Sequence, residues 1–556
     1  MPLRFAEPAA ESYRFPLTVR HLLDSAMMTA AEQSIIYRDQ VRLTYATLRE
    51  RIGRLASMLA SLGVEAGTTV AVMDWDSHRY LEAYFAVPMM GAVLQTVNVR
   101  LPPAQIAYTL RHAGAQVLLV HRDFFPLLEP LLPALSAVKA IVAILDGAAG
   151  EVPRYAVGEY EALSAAASPD YAFEDFDENA VATLFYTTGT TGDPKGVCFT
   201  HRQLVIHTLA ASGPFGNAAN HPSLGIDDVY MPLTPMFHVH AWGVPYIATM
   251  LGVKQVYPGR YEPDLICRLR AEHKVTFSHC VPTILQMVLQ HAEAHRTDLS
   301  GWKFIIGGSA LTKGLCAQAR QRGIDIVSGY GMSETCPTIA IARRRADDDT
   351  EAAVVASLTA SGLPVPLVSA RIVDDEMNDV PHDGASRGEL VLRAPWLTSC
   401  YVGDAKATQA LWRGGWLHTQ DIATIDTRGN IQIRDRLKDV IKSGGEWIDS
   451  IQLEELVATA EGVAQAAVIA VSDPRWGERP LAVVVCRGNA KPTLQTLNAP
   501  IERAIAASEI TRFAKLDRFV IVEELPRTSV GKIDKKRMRA EYGSVPGADP
   551  TTQRAT

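Results

Sequence analysis

From Thr44 onward, Leu48, Ile52, Leu55, Leu59 and Leu62 recur at alternating steps of four and three within YATLRERIGRLASMLASLG. That spacing predicts an amphipathic helix, with Thr44 as its N-cap and Gly63 as its stop. The β-branched run TTVAVM follows, then an apolar helical stretch from Tyr80 to Val87, then AVLQTVNV, a helix over Pro103 to Arg111, and AQVLLVH. Helix alternating with short strand is the pattern of a doubly wound sheet, and it returns in VTFSHCV, WKFIIGG and IDIVSGYG. The chain up to residue 434 therefore reads as one large, multi-lobed α/β body.

Near IRDRLKDVIK the text becomes charged and compact. Beyond it, a helix near Leu453 to Ala460, AQAAVIAVSD, RPLAVVVCRG, a helix near Leu497 to Ala507 and RFVIVEEL make up a separate α+β domain. The expected boundaries are 1–434 for the body, 435–438 for a hinge and 439–543 for the small domain. The polar tail SVPGADPTTQRAT, 544–556, is predicted to be disordered.

Composition narrows the functional classes. A net charge of −7, with no dense Lys/Arg run flanking a hydrophobic helix, argues against nucleic acid as a partner. No signal-peptide core or spanning apolar run is evident. Seven cysteines without CxxC spacing argue against a disulfide framework or a zinc site and for a reducing, cytoplasmic compartment.

The segment YTTGTTGDPKG, residues 186–196, carries the most chemistry. Gly189, Gly192 and Gly196 allow successive backbone N–H groups to converge on one anion. Thr187, Thr188, Thr190 and Thr191 add hydroxyls and Lys195 adds a charge, a set suited to polyphosphate. The lysine precedes the last glycine, so this is not a Walker A loop, and a P-loop kinase or GTPase is disfavoured.

Taken with GYGMSET, GWLHTQD, RDRLKD, KSGGEW and PRTSVGK, in that order, the loop closely resembles the adenylate-forming superfamily over roughly residues 20 to 543. Within it, PMFHVHAWGVPY and IKSGGEWI look most like bacterial medium- or long-chain fatty acyl-CoA synthetases. The resemblance implies a small, mobile C-terminal domain and a two-step reaction. A carboxylic acid and ATP give an acyl-adenylate and pyrophosphate, and coenzyme A then takes the acyl group.

The resemblance also implies roles. Lys532 is the catalytic cation between carboxylate and phosphate, and Glu334 is the Mg2+ ligand. Ser333 is a hydroxyl for the α-phosphate, and Gly329, Tyr330 and Gly331 are part of the adenine pocket. Gly308, Ser309 and Ala310 close around the purine. Asp421 and Arg436 bind ribose, although TQD stands where TGD is usual, so Gln420 must tolerate a turn that glycine eases. His238 lines the path between carboxylate and phosphate, whereas His240 lacks that support. Trp242 is an acyl gate, Gly444 and Gly445 flank the path of coenzyme A, and Asp435 is the hinge.

Lys535, Lys536 and Arg537 read as solvated neighbours of Lys532. Relatives suggest a homodimer, and a lysine acetyltransferase acting on an accessible Lys532 would switch adenylation off. An aryl or short branched-chain acid CoA ligase, a non-catalytic acyl or nucleotide sensor and a luciferase-like oxygenase are alternatives on the same fold. A sensor would be expected to lose Lys532 or Glu334, and both are present.

Overall fold

The computed structural model describes residues 3–147, 150–187, 193–216, 222–507, 509–528 and 532–543. The tail 544–556 and Thr188, Gly189, Thr190, Thr191 and Gly192 lie outside them. The first predicted helix forms over Tyr45–Ser61, and the Thr44 side chain accepts from the Thr47 N–H, a cap worth about 1 kcal/mol. Leu48, Ile52, Leu55 and Leu59 are fully buried, each contributing roughly 1.5–3 kcal/mol.

Two large sheets share one core. The first runs Gly158–Glu159, Ala140–Ile144, Ala115–His121, Thr69–Met73, Val93–Thr96, Val181–Tyr186, Gly196–Thr200, parallel except for its last pair. The second has nine strands and a parallel centre that includes Val229–Leu233, Phe277–Cys280, Lys303–Ile306 and Asp325–Gly331. A four-stranded antiparallel sheet, Ser369–Val373, Gly388–Arg393, Leu417–Ile425, Ile431–Arg436, completes the body. It departs from the expected α/β alternation because every neighbouring pair in it is antiparallel and needs no parallel crossover. Among the described residues no helix is long and apolar enough to cross a membrane.

One apolar cluster extends from Val19 to Ile431, and two others begin at Ile441 and Ala467. The small domain therefore has its own cores, built on a sheet containing Val463–Asp473 and Gly477–Cys486 with the helices Ser450–Ala458 and Leu494–Ala506. Asp435 and Arg436, the first residues of the expected hinge, end the strand Ile431–Arg436. The Asp435 carboxylate is buried and accepts from the Ser450 N–H at 2.6 Å and the Ser450 hydroxyl at 2.5 Å. The first turn of the small domain's helix is thereby tied to the large domain's sheet.

Lys535 departs from its expected solvated state. Its Nζ lies 2.7 Å from Glu454 Oε1 and donates to Ser450 Oγ at 2.6 Å, with the side chain only 11% exposed. Helix formation over Lys535–Tyr542 turns it inward, onto the one side where a carboxylate and a hydroxyl replace its water. Lys535→Met leaves Glu454 buried without its cation and should destabilise the small domain by about 3–5 kcal/mol in urea titration, with Lys535→Met/Glu454→Leu recovering much of the loss. Equal loss in the single and double variants would contradict this.

Candidate active site

A cavity of about 920 Å3 opens between the large body and the small domain. On the large-domain side it sits beyond the carboxyl ends of the parallel strands Phe277–Cys280 and Lys303–Ile306, where α/β sheets hold ligands. Gly307, Gly308, Ser309 and Ala310 leave the second of these strands and line it, as do Gly329, Tyr330, Gly331 and Ser333. At Gly331 an added Cβ would fall 1.8 Å from the Pro337 carbonyl oxygen, so only glycine fits.

Thr187 and Lys195, at the two ends of the glycine-threonine loop, face the same cavity. The Thr187 N–H donates to the Lys195 carbonyl at 2.9 Å, closing the loop's neck. The Lys195 ammonium lies 4.6 Å from the centre of the Tyr401 ring, and the Tyr401 hydroxyl donates to Glu334 Oε1 at 2.5 Å. Tyr401 thus aligns two groups that sequence reasoning placed in the site, yet no motif marked it. Its signal lies in strand pairing, Val197 with Tyr401, which a linear pattern does not display.

Asp421 is buried one layer behind the lining. It accepts the Tyr330 hydroxyl on Oδ2 at 2.6 Å and meets Arg436 Nε with Oδ1 at 2.8 Å. The pairing of Asp421 with Arg436 across neighbouring strands sets this triad. Gln420 has φ 58°, the left-handed conformation that the missing glycine would ease.

Lys532 reaches into the cavity, its Cε 3.6 Å from the position a Cβ on Gly308 would occupy. Enclosure by protein, then the charge of Arg436, lowers its ammonium to about 8, against the opposing pull of Asp421 and Glu334. His238 lines the same space. Burial, then Lys532 and Arg100, hold its imidazole down to about 3, so it is neutral. His240 is a core residue, fully buried among Tyr84, Phe185, Phe199 and Tyr246.

Trp242 lies against Gly307 and its ring centre is 5.1 Å from that of His279. His279, not singled out by any motif, has its Nε2 hydrogen-bonded to the Tyr230 hydroxyl at 2.7 Å and its Nδ1 to Thr234 Oγ1 at 3.1 Å. Val239, His240, Ala241 and Trp242 all have positive φ, one turn of left-handed helix ending at Gly243. Gly444 and Gly445 do not line the cavity. They form the turn between Ile441–Ser443 and Glu446–Ile448, and a Cβ on Gly444 would meet Phe513 at 2.9 Å.

The site therefore offers a backbone cradle, two lysines, a carboxylate and an aromatic wall, a set suited to an anion-rich nucleotide and a second substrate. Comparison with known proteins agrees. The chain belongs to the AMP-binding enzyme family, whose profile matches residues 23–402, and the AMP-binding enzyme C-terminal domain matches 452–532.

It is 42% identical over 507 residues to a long-chain-fatty-acid–CoA ligase of Thermus thermophilus, covering 90% of each chain. It is 35% identical over 544 residues to a 3-methylmercaptopropionyl-CoA ligase of Ruegeria lacuscaerulensis, covering 95% of this chain and 97% of that one. Its fold matches the anthranilate CoA ligase AuaEII in complex with anthranoyl-AMP, with a TM-score of 0.82 at 22% identity over 95% and 98% of the chains. The chain is an acid–CoA ligase that works through an acyl-adenylate.

The position of Lys532 sets a pH dependence. The group is charged below about 8 and neutral above it, so kcat/KM for adenylation, which reports the free enzyme, should fall as pH rises through that value. Lys532→Arg stays charged and should move the alkaline limb upward. An unchanged limb in that variant would assign the titration to another group.

Proposed function

We propose that the acid is a medium- or long-chain fatty acid. The reading rests on the apolar wall of Phe215, Val239, Trp242, Val244, Ile305 and Ile341 on the large-domain side of the cavity. His279 adds to that wall as a neutral ring, held down to about 3 by burial, with both nitrogens already occupied. Such a wall recognises hydrocarbon, about 25 cal/mol per Å2 covered.

Carboxylate and α-phosphate repel each other by about 4 kcal/mol per unit pair at 4 Å and an effective dielectric near 20. Lys532 bridges them and offsets that repulsion, while Thr187 and Lys195 hold the outer phosphates. Ser333 donates to the α-phosphate. Tyr330 stacks on adenine, with Asp421 and Arg436 toward the ribose. Glu334 fits a magnesium ion: it is a hard oxygen donor facing the cavity, oriented by Tyr401. When bound, the ion would neutralise phosphate charge.

Thioester formation then requires Lys532 to withdraw and the turn at Gly444 and Gly445 to approach the pantetheine arm, a rotation of the small domain pivoting near Asp435. Withdrawal exposes Lys532 to a lysine acetyltransferase, whose product would lack the charge adenylation needs.

Pyrophosphate release and thioester formation across butyrate, octanoate, palmitate, cinnamate and 3-methylmercaptopropionate test the acid. The highest kcat/KM should fall on octanoate or palmitate, and Trp242→Ala should flatten the preference among the three fatty acids. A maximum on cinnamate or 3-methylmercaptopropionate would overturn the reading. For the cation, Lys532→Ala should slow adenylation by on the order of 10²-fold while still converting supplied acyl-adenylate to thioester. Equal loss in both half-reactions would refute a role confined to one step.

A further inference from the structure

The strand Gly196–Thr200, which leaves the phosphate loop, lies antiparallel to residues 400–402. Val197 bridges Tyr401, and the Val402 N–H donates to the Gly196 carbonyl at 2.9 Å. One step along this register, Cys198 stands directly opposite Cys400. The buried Thr398 hydroxyl, within 3.0 Å of both the Cys198 and Cys400 carbonyl oxygens, holds the pair in place. The two side chains hydrogen-bond to each other, and both residues are half-buried rather than sealed in the core. Directly opposed residues in antiparallel strands have Cα atoms about 4.5–5.5 Å apart, within the span a disulfide bridges.

We propose that Cys198 and Cys400 are a redox modification site: they form a reversible disulfide with small-molecule disulfides as oxidant, and the bond shuts down adenylation. Burial, then the neighbouring Cys400 thiol, pushes the Cys198 thiol up to about 12. The Cys400 thiol loses its proton and attacks one sulfur of the oxidant RSSR, expelling RS–. The Cys198 thiol then loses its proton, attacks the Cys400 sulfur of the mixed disulfide and expels the second RS–. Both thiolates leave as RSH, so two protein thiols are oxidised and one small disulfide is reduced.

The consequence follows from what flanks each cysteine. Cys198 is three residues from Lys195, and Cys400 adjoins Tyr401, which supports Lys195 and holds Glu334. Thr398, two residues from Cys400, donates its N–H to the Glu334 carbonyl at 2.9 Å. An S–S bond fixes the Cβ–Cβ separation at about 3.8 Å and the Cβ–S–S–Cβ dihedral at about ±90°, constraints the free thiols do not carry, so closing it re-aims the two segments relative to each other. Displacement of catalytic groups by about 1 Å costs roughly 10²-fold in rate. Tyr401, Lys195 and Glu334 lie in the path of that shift.

The full-length chain is incubated with oxidised glutathione, and unreduced peptides are read by mass spectrometry alongside pyrophosphate release. The expected result is a Cys198–Cys400 cross-link, lighter by two hydrogens, with at least about a tenfold loss of adenylation that dithiothreitol restores. Cys400→Ser and Cys198→Ser should keep basal activity and resist the oxidant. Should one fold poorly, Cys400→Ala serves in its place. Absence of the link, a link without loss of activity, or equal loss in the variants would each overturn the proposal. The cross-link is read without any acid, and activity is read with whichever acid the panel favours, so failure of the fatty-acid assignment would not imitate failure here.

Discussion

Everything in the cleft depends on holding one ammonium group where it is electrostatically uncomfortable. Lys532 is enclosed by protein beside the Arg436 guanidinium, and enclosure and like charge together lower its proton affinity. Asp421 and Glu334 pull the other way, and each is itself restrained, Asp421 by Tyr330 and Arg436, Glu334 by Tyr401. The result is a cation short of compensating charge before any substrate arrives. A cation so placed is complementary to anions, the preorganisation that the proposed adenylation would use.

The proposed rotation of the small domain asks for a junction that can open. The two domains keep separate apolar cores, and their contact relies on polar groups. Asp435 grips Ser450 and Arg387 meets Asp449 at 2.9 Å, while inside the small domain Lys535, three residues beyond Lys532, anchors that segment to Glu454 and Ser450. An apolar seam would cost its whole hydrophobic area on opening, whereas polar partners exchange protein for water at modest net cost.

Local rules carried far along this chain because much of it is locally consistent. The helix Tyr45–Ser61, its Thr44 cap and the parallel strands follow directly from periodicity. The order of the motifs also anticipated that Tyr330, Glu334, Asp421, Arg436 and Lys532 would meet. What escaped was the content of register. Tyr401 matters because of the strand it faces, Lys535 because its helix turns inward, and His279 because Trp242 lies on it. The antiparallel sheet of residues 369–436 escaped for a related reason, since its strands read one by one like those of the α/β body.

Backbone strain is distributed by the same logic. Each non-glycine residue in the left-handed helical region costs roughly 1–2 kcal/mol, and Val239 to Trp242 supply four in succession, one of them β-branched. The turn persists because its side chains leave no alternative: Val239, His240 and Ala241 are essentially sealed in the core, and Gly243 closes it. Strain that packing over-determines is rigid strain. The indole of Trp242 is therefore fixed at its base, and its freedom lies in its own side-chain torsions against His279 and Gly307. Gln420 is the contrasting case, a single exposed left-handed residue whose cost is local, carried so that the strand can turn and present Asp421 to Tyr330 and Arg436.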